Sequence, residues 1–401
     1  MPTALAALEE VYARRGARPA VSTGLSASMD PAVSMDPAVS MDPAVSMDPA
    51  ASMDPAVSTG PAGDRTPVVG YVGADVPVEL LTAAGVHAVR LTGDPDSGSA
   101  LGDRYLGRGV DPMARSVLTR LLAGSFGDLD RIVVSHDCEA SLRLFYALRE
   151  LRRVEPGTRL PEAYLVDILH LPHRTTARYN RRRIGEFAAR LEAWTGRPLD
   201  LAGAVAAHDE RRRLLTAVAE LRRAVPARLT GRQFLAVANA ALPVTEHIAL
   251  LERLLAEAGR LGEHPGRRVF LSGSDHDTPH VYEAVESEGY VIVGEDHSFG
   301  DLFLGEPVGA GGLDALAEHY HHSGPTAHRA TVGERAAHAA RAVRDCRAEL
   351  FVGYSRIGDE APAWDFPAQR AALDVPAVLL ERQEYGRADL AALRKEHPCA
   401  V

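Results

Sequence analysis

The chain has 401 residues, 46% of them hydrophobic and 24% charged, enough apolar material for two or three domains. Its formal charge of −10 excludes broad charge-driven binding to nucleic acid or to an anionic membrane, and no stretch reaches the ~20 apolar residues of a membrane span. Three cysteines, Cys138, Cys346 and Cys399, lie far apart without a CxxC, which fits a reducing cytoplasm and no disulfide framework.

The N-terminus lacks a basic start followed by an apolar core, so no secretory signal is expected. Residues 28–57 are five hexapeptides: SMDPAV three times, SMDPAA, then SMDPAV. A proline every sixth residue forbids a helix, and no apolar face is large enough to form a core. The segment reads as a linker or docking tail, or as a tolerated repeat expansion. Residues 1–65 are expected to be disordered and to add nothing to the core, with structure beginning near Thr66.

Strands and helices then alternate. The runs PVVGYVG (67–73), HAVRL (87–91), RIVVS (131–135) and AYLVDIL (163–169) read as buried strands. PVELLTAAG (77–85), DPMARSVLTRLLAG (111–124) and EASLRLFYALREL (139–151) read as the helices between them, the first with Pro77 in its opening turn and Gly85 ending it. Residues 174–260 carry helical periodicity almost throughout, broken at Gly196-Arg197-Pro198 and near Pro226. Alternation resumes with RRVFLSG (267–273), YVIVGED (290–296), ELFVGYS (349–355) and PAVLLER (376–382), with helices beginning near Pro279, Gly312, Val332 and Phe366.

The pattern predicts an α/β protein of two doubly wound parallel-sheet units, 66–173 and 263–401, joined by a helical insert at 174–262. Ligands in such sheets sit beyond the carboxyl ends of the strands. Four strand-end loops are therefore the candidates: 73–76, 136–138, 272–279 and 355–364.

These loops contain no GxxxxGK[ST], no GxGxxG after the first strand and no GxSxG, so P-loop, plain dinucleotide and serine-hydrolase chemistry are not expected. Ser272, Gly273 and Ser274 end a strand before a helix, where backbone amides can hold a phosphate or a carbonyl oxygen, or simply form a capped turn. Asp275, His276, Asp277 and His280 resemble a metal set but read as a solvated polar loop. HYHHS (319–323) reads as histidines suited to the negative end of a helix dipole rather than as ligands. Five arginines in 174–183, Arg174 and Arg178 first, are either a phosphate clamp or a solvated helix face. Cys138 lies two residues from His136, but such neighbours at a strand end usually diverge, so a thiol–imidazole pair is not expected.

Six segments in order resemble the 2-hydroxyacyl-CoA dehydratase D-component family, which includes benzoyl-CoA reductase subunits. They are VPVELLTAAG (76–85), DPMARS (111–116), SHDCEASLRL (135–144), LHLPHR (169–174), the run from Val269 to Asp296, and DEAPAWDFPAQRAAL (359–373). The resemblance covers roughly residues 67–385. It implies a subunit that pairs with a related one, a [4Fe–4S] cluster on three cysteines from three loops, acyl-CoA as substrate and an ATP-dependent activator as electron donor. The implied reaction is loss of water from a 2-hydroxyacyl-CoA through a ketyl radical. By position, Cys138 matches one cluster ligand, while Asp111 and Asp359 stand where the family has the other two cysteines. Carboxylate is a harder ligand than thiolate and binds cluster iron less well.

Three readings stay open. The chain is a dehydratase or reductase subunit with an Asp/Cys-bound cluster or other metal, a cluster-free partner of a cluster-bearing relative, or a small-molecule binding module. The expected partner is a related subunit in a heterodimer, with a homodimer as fallback. The acyl-CoA contacts implied by position and charge are Ser272, Gly273, Ser274, Arg174 and Arg178.

Overall fold

The computed structural model describes residues 3–15, 65–322, 324 and 329–396. The hexapeptide repeats and Cys399 lie outside them. Structure does not begin near Thr66, however. Residues Ala4–Arg14 form α1, capped by the Thr3 hydroxyl, which accepts from the Ala6 amide. Ala4, Leu8 and Tyr12 recur on one face of α1 and are buried. Leu8 is fully buried among helices of the insert, worth about 1.5–3 kcal/mol. The expectation that residues 1–65 add nothing to the core is thereby corrected. The apolar residues of ALAALEEVYAR recur at helical spacing, which marks the segment as an amphipathic helix despite the repeat that follows it.

The first lobe runs β1 (Val68–Val72), α2 (Val78–Ala83), β2 (His87–Arg90), α3 (Ala100–Leu106), α4 (Pro112–Leu122), β3 (Arg131–Ser135), α5 (Glu139–Val154) and β4 (Glu162–Val166). Four helices follow: α6 (Arg174–Thr195), α7 (Leu201–Arg223), α8 (Gly231–Ala238) and α9 (Val244–Glu257). The second lobe runs β5 (Arg267–Gly273), α10 (His280–Ser287), β6 (Tyr290–Glu295), α11 (Gly312–His322), α12 (Val332–Asp345), β7 (Leu350–Arg356), α13 (Ala361–Ala372), β8 (Ala377–Gln383) and α14 (Ala391–Glu396).

Each lobe is a four-stranded, all-parallel sheet, in the order β2-β1-β3-β4 and β6-β5-β7-β8. The two orders are the same, so each lobe changes winding direction after its first strand, the place where doubly wound sheets open a crevice. Apolar strands such as Ile132-Val133-Val134 are wholly buried because helices cover both faces.

Two features fix the lobes against each other. Helix α11 follows β6 in the chain but buries Leu316, Ala317 and Tyr320 against the first lobe and α6. Helix α7 braces both lobes: Arg212 bonds Glu79 on α2, while Arg222 bonds Glu295 at the end of β6 and Asp301 beyond it. Burial alone would raise the Glu79 carboxyl, yet Arg212, with His208 and hydrogen bonds, brings it down to about 2.

Among the described residues no helix is long and apolar enough to cross a membrane.

Candidate functional site

The carboxyl ends of the two sheets face each other. Arg90, ending β2, donates to the Ser298 carbonyl and hydroxyl beyond β6, both at 2.8 Å. The Gly93 amide donates to Asp277 beyond β5 at 2.7 Å. Between the ends lies a cavity of about 280 Å³. All four strand-end loops singled out above contribute to its wall: Gly73 and Ala74, Asp137 and Cys138, Ser272, Gly273 and Asp275, then Arg356, Gly358 and Asp359.

A glycine stands at the same place in each lobe. Gly73 (φ +97°) follows β1, and Gly273 (φ +119°) closes β5. A Cβ on Gly73 would come within 2.1 Å of Ser135 Oγ, and one on Gly273 within 2.2 Å of the Tyr354 carbonyl. Both the positive φ and the close approach exclude a side chain.

Asp111, Cys138 and Asp359 all line this one cavity, but each already has partners within the protein. Asp111 caps α4, its Oδ1 accepting from the Met113 amide at 2.8 Å. Its Oδ2 accepts from Arg356 Nε at 3.0 Å and Nη2 at 2.7 Å. Arg356, 5% exposed, also donates through Nη1 to the Asp275 carbonyl at 2.6 Å. Asp359 accepts from Ser274 Oγ at 2.7 Å, and burial raises its pKa. Cys138 caps α5, its Sγ accepting from the Ser141 amide at 3.4 Å. Burial, then the neighbouring Asp137 charge, pushes the Cys138 thiol up, so it stays protonated.

His136 does not serve that thiol. Its Nδ1 lies 3.0 Å from Asp167 Oδ1, and Asp167 Oδ2 accepts from Tyr179. Asp137 Oδ2 accepts from the Ala74 amide at 2.7 Å, while Oδ1 is buried without a hydrogen-bond partner among the described residues. Burial raises this carboxyl as well.

A [4Fe–4S] cluster on three protein thiolates does not fit this donor set. The three positions matched to cluster cysteines supply one thiol and two carboxylates, and a buried guanidinium already holds one of those carboxylates. Cys346 is no replacement, since it packs in the core of the second lobe against α12 and β6. Among the described residues, Asp111, Cys138 and Asp359 are not a group whose ligand atoms lie within 4.8 Å of one another.

The other residues singled out from the sequence divide. Ser272 and Gly273 line the cavity, whereas Ser274 is buried beneath it. The amides of Gly273 and Ser274 are already spent, on Asp296 Oδ1 and the Tyr354 carbonyl, each at 3.0 Å. Arg174 and Arg178 are exposed on α6 and do not line the cavity. His276 and Asp277 are buried, so the loop read as solvated is largely packed: Asp277 accepts from Gly93 and Tyr385, tying the lobes together.

The candidate loops contain Asp137 and Arg356, but sequence reasoning gave neither a role, and Asp296 lies outside those loops. Asp296 accepts from Ser272 Oγ at 2.6 Å, and burial raises its carboxyl to about 6. An arginine closing the otherwise apolar strand Leu350–Arg356 was the one available signal for Arg356.

A comparison with curated proteins gives no match. A sequence-family profile described as 2-hydroxyglutaryl-CoA dehydratase, D-component, matches residues 74–394. That span takes in the first lobe after β1, the helical insert, the second lobe up to the middle of α14, and every wall of the cavity except Val72 and Gly73. The chain, with its paired parallel sheets and the cavity between their strand ends, belongs to the 2-hydroxyglutaryl-CoA dehydratase D-component family.

Proposed function

We propose that the chain is a cluster-free component of a 2-hydroxyacyl-CoA dehydratase-type assembly, working beside a related subunit that carries the reductive chemistry. One observation carries this reading: the buried Arg356 guanidinium sits on Asp111, at a position where the resemblance implies a cluster cysteine. A fixed positive charge there holds a carboxylate as a structural partner and leaves it no vacant role as an iron ligand.

The cavity suits a neutral polar group. Its 280 Å³ is at the small end of ligand pockets, enough for a short acyl group but not for a nucleotide. Burial makes Asp137 and Asp359 more readily protonated than ordinary carboxylic acids, so they can hydrogen-bond a hydroxyl or carbonyl. Catalysis of the dehydration, and dependence on an ATP-driven activator, then belong to the partner.

The test is to purify the chain without oxygen and measure iron, acid-labile sulfide and visible absorption. The expected product is colourless, with iron and sulfide far below stoichiometric. Brown protein with about four iron and four sulfide per chain, lost in Cys138→Ala, would overturn the proposal.

A further inference from the structure

The last turns of α11 hold a side-chain group separate from the inter-lobe cavity. Glu318, His321 and His322 stand at i, i+3 and i+4, which brings them together on a helix. Each offers a ligand atom, and these atoms lie within 4.8 Å of one another. None of the three lines the cavity.

The state of His321 is the telling feature. Its Nε2 lies 2.9 Å from the Leu171 carbonyl, which can only accept, so Nε2 carries the proton. In the neutral ring Nδ1 then bears a lone pair. Nδ1 is buried without a hydrogen-bond partner among the described residues, in a residue only 6% exposed. The main chain is held too, since His170 Nδ1 lies 3.2 Å from the His321 carbonyl. A ring oriented by a carbonyl through one nitrogen, with the other unengaged, is the arrangement by which proteins prepare a histidine for metal.

The other two side chains are exposed, and the His322 ring, which stacks on His321 with centroids 4.5 Å apart, has to turn outward to complete the set. His322 Nε2 is 3.0 Å from Glu318 Oε1, and both side chains are more than half exposed. The remaining contact on Glu318 is weak, Arg181 at 3.8 Å from Oε2.

We propose that this turn binds a divalent first-row transition-metal ion, Zn²⁺ being the type ion, through Glu318, His321 and His322. Two borderline imidazoles and one harder carboxylate form a donor set that suits such ions, with water completing the coordination. The ion would fix the His321 ring whose Nε2 donates to the Leu171 carbonyl, and so steady the contact of α11 with that loop. The inference does not rest on the proposed function.

The full chain, stripped of metal with chelator, is titrated with Co²⁺ while visible absorption is followed, and Zn²⁺ is then added as competitor. Saturable binding of one ion per chain is expected, with Zn²⁺ displacing it. Glu318→Gln and His322→Gln should each weaken binding at least ~10-fold, while leaving the metal-free melting temperature unchanged because both positions are exposed. Undiminished binding in both variants, or no saturable binding at micromolar Co²⁺, would overturn the site. Binding lost in Cys138→Ala but kept in Glu318→Gln would place the ion in the inter-lobe cavity and overturn it equally.

Discussion

If Arg356 is the structural partner of Asp111, the two residues must be strongly coupled in stability. Asp111→Asn is the informative substitution, because Oδ1 can still accept from the Met113 amide and the cap on α4 survives. What is lost is the charge facing Arg356, and the new amide turns a donor toward two guanidinium donors. The side chains are 4% exposed for Arg356 and 12% for Asp111, so water replaces little of the loss. Removing one partner of such a pair costs about 3–5 kcal/mol, because the other is left as an uncompensated buried charge. Arg356→Met should cost a similar amount, including about 1 kcal/mol for the donor taken from the Asp275 carbonyl. The double variant leaves neither charge stranded and should be no less stable than either single one, a coupling of about 3 kcal/mol. Urea unfolding of the four proteins at one pH and salt concentration measures this cycle. Additive losses would refute the reasoning and leave Asp111 free for another role.

Other expectations test the rest of the structure. Leu8→Ala should destabilise by about 2–5 kcal/mol, as at a filled core position, whereas deleting residues 26–60 should leave the melting temperature nearly unchanged; a drop of several degrees on the deletion would contradict this. Burial raises the Asp296 carboxyl to about 6 in the folded chain, against ~3.9 unfolded. Its raised value means the folded state holds the proton longer, so stability falls as pH rises from about 4 to 6 and stays lower above. Asp296→Asn should flatten that segment of a stability–pH curve, and a parallel curve would refute the assignment. Gly273→Ala should destabilise by more than about 2 kcal/mol, through the positive φ and the Tyr354 carbonyl beside the new Cβ; thermal unfolding checks it. Cys138 should react with a disulfide reagent at pH 8 far more slowly than a free thiol, since burial keeps it protonated.

The sequence by itself determined the two parallel sheets. Short apolar strands such as Val133 and Val134, alternating with amphipathic helices, leave no other covered arrangement, and strand-end loops in such sheets are where cavities form. The order of motifs carried the family as well, and the profile match over residues 74–394 agrees with it. Tertiary structure decided what those loops do. Nothing local to Asp111 announces Arg356, which lies 245 residues away in the chain and meets it only because the two lobes face each other. The same holds for Asp277 under Gly93, and for α11, whose apolar face gives no sign that it packs on the other lobe. At the end of α11 the helical spacing of Glu318, His321 and His322 was visible, but the burial of one imidazole nitrogen was not. Periodicity reports which face of an element is covered; it carries no information about what covers it, and the chemistry of a buried charge or ring depends on that neighbour.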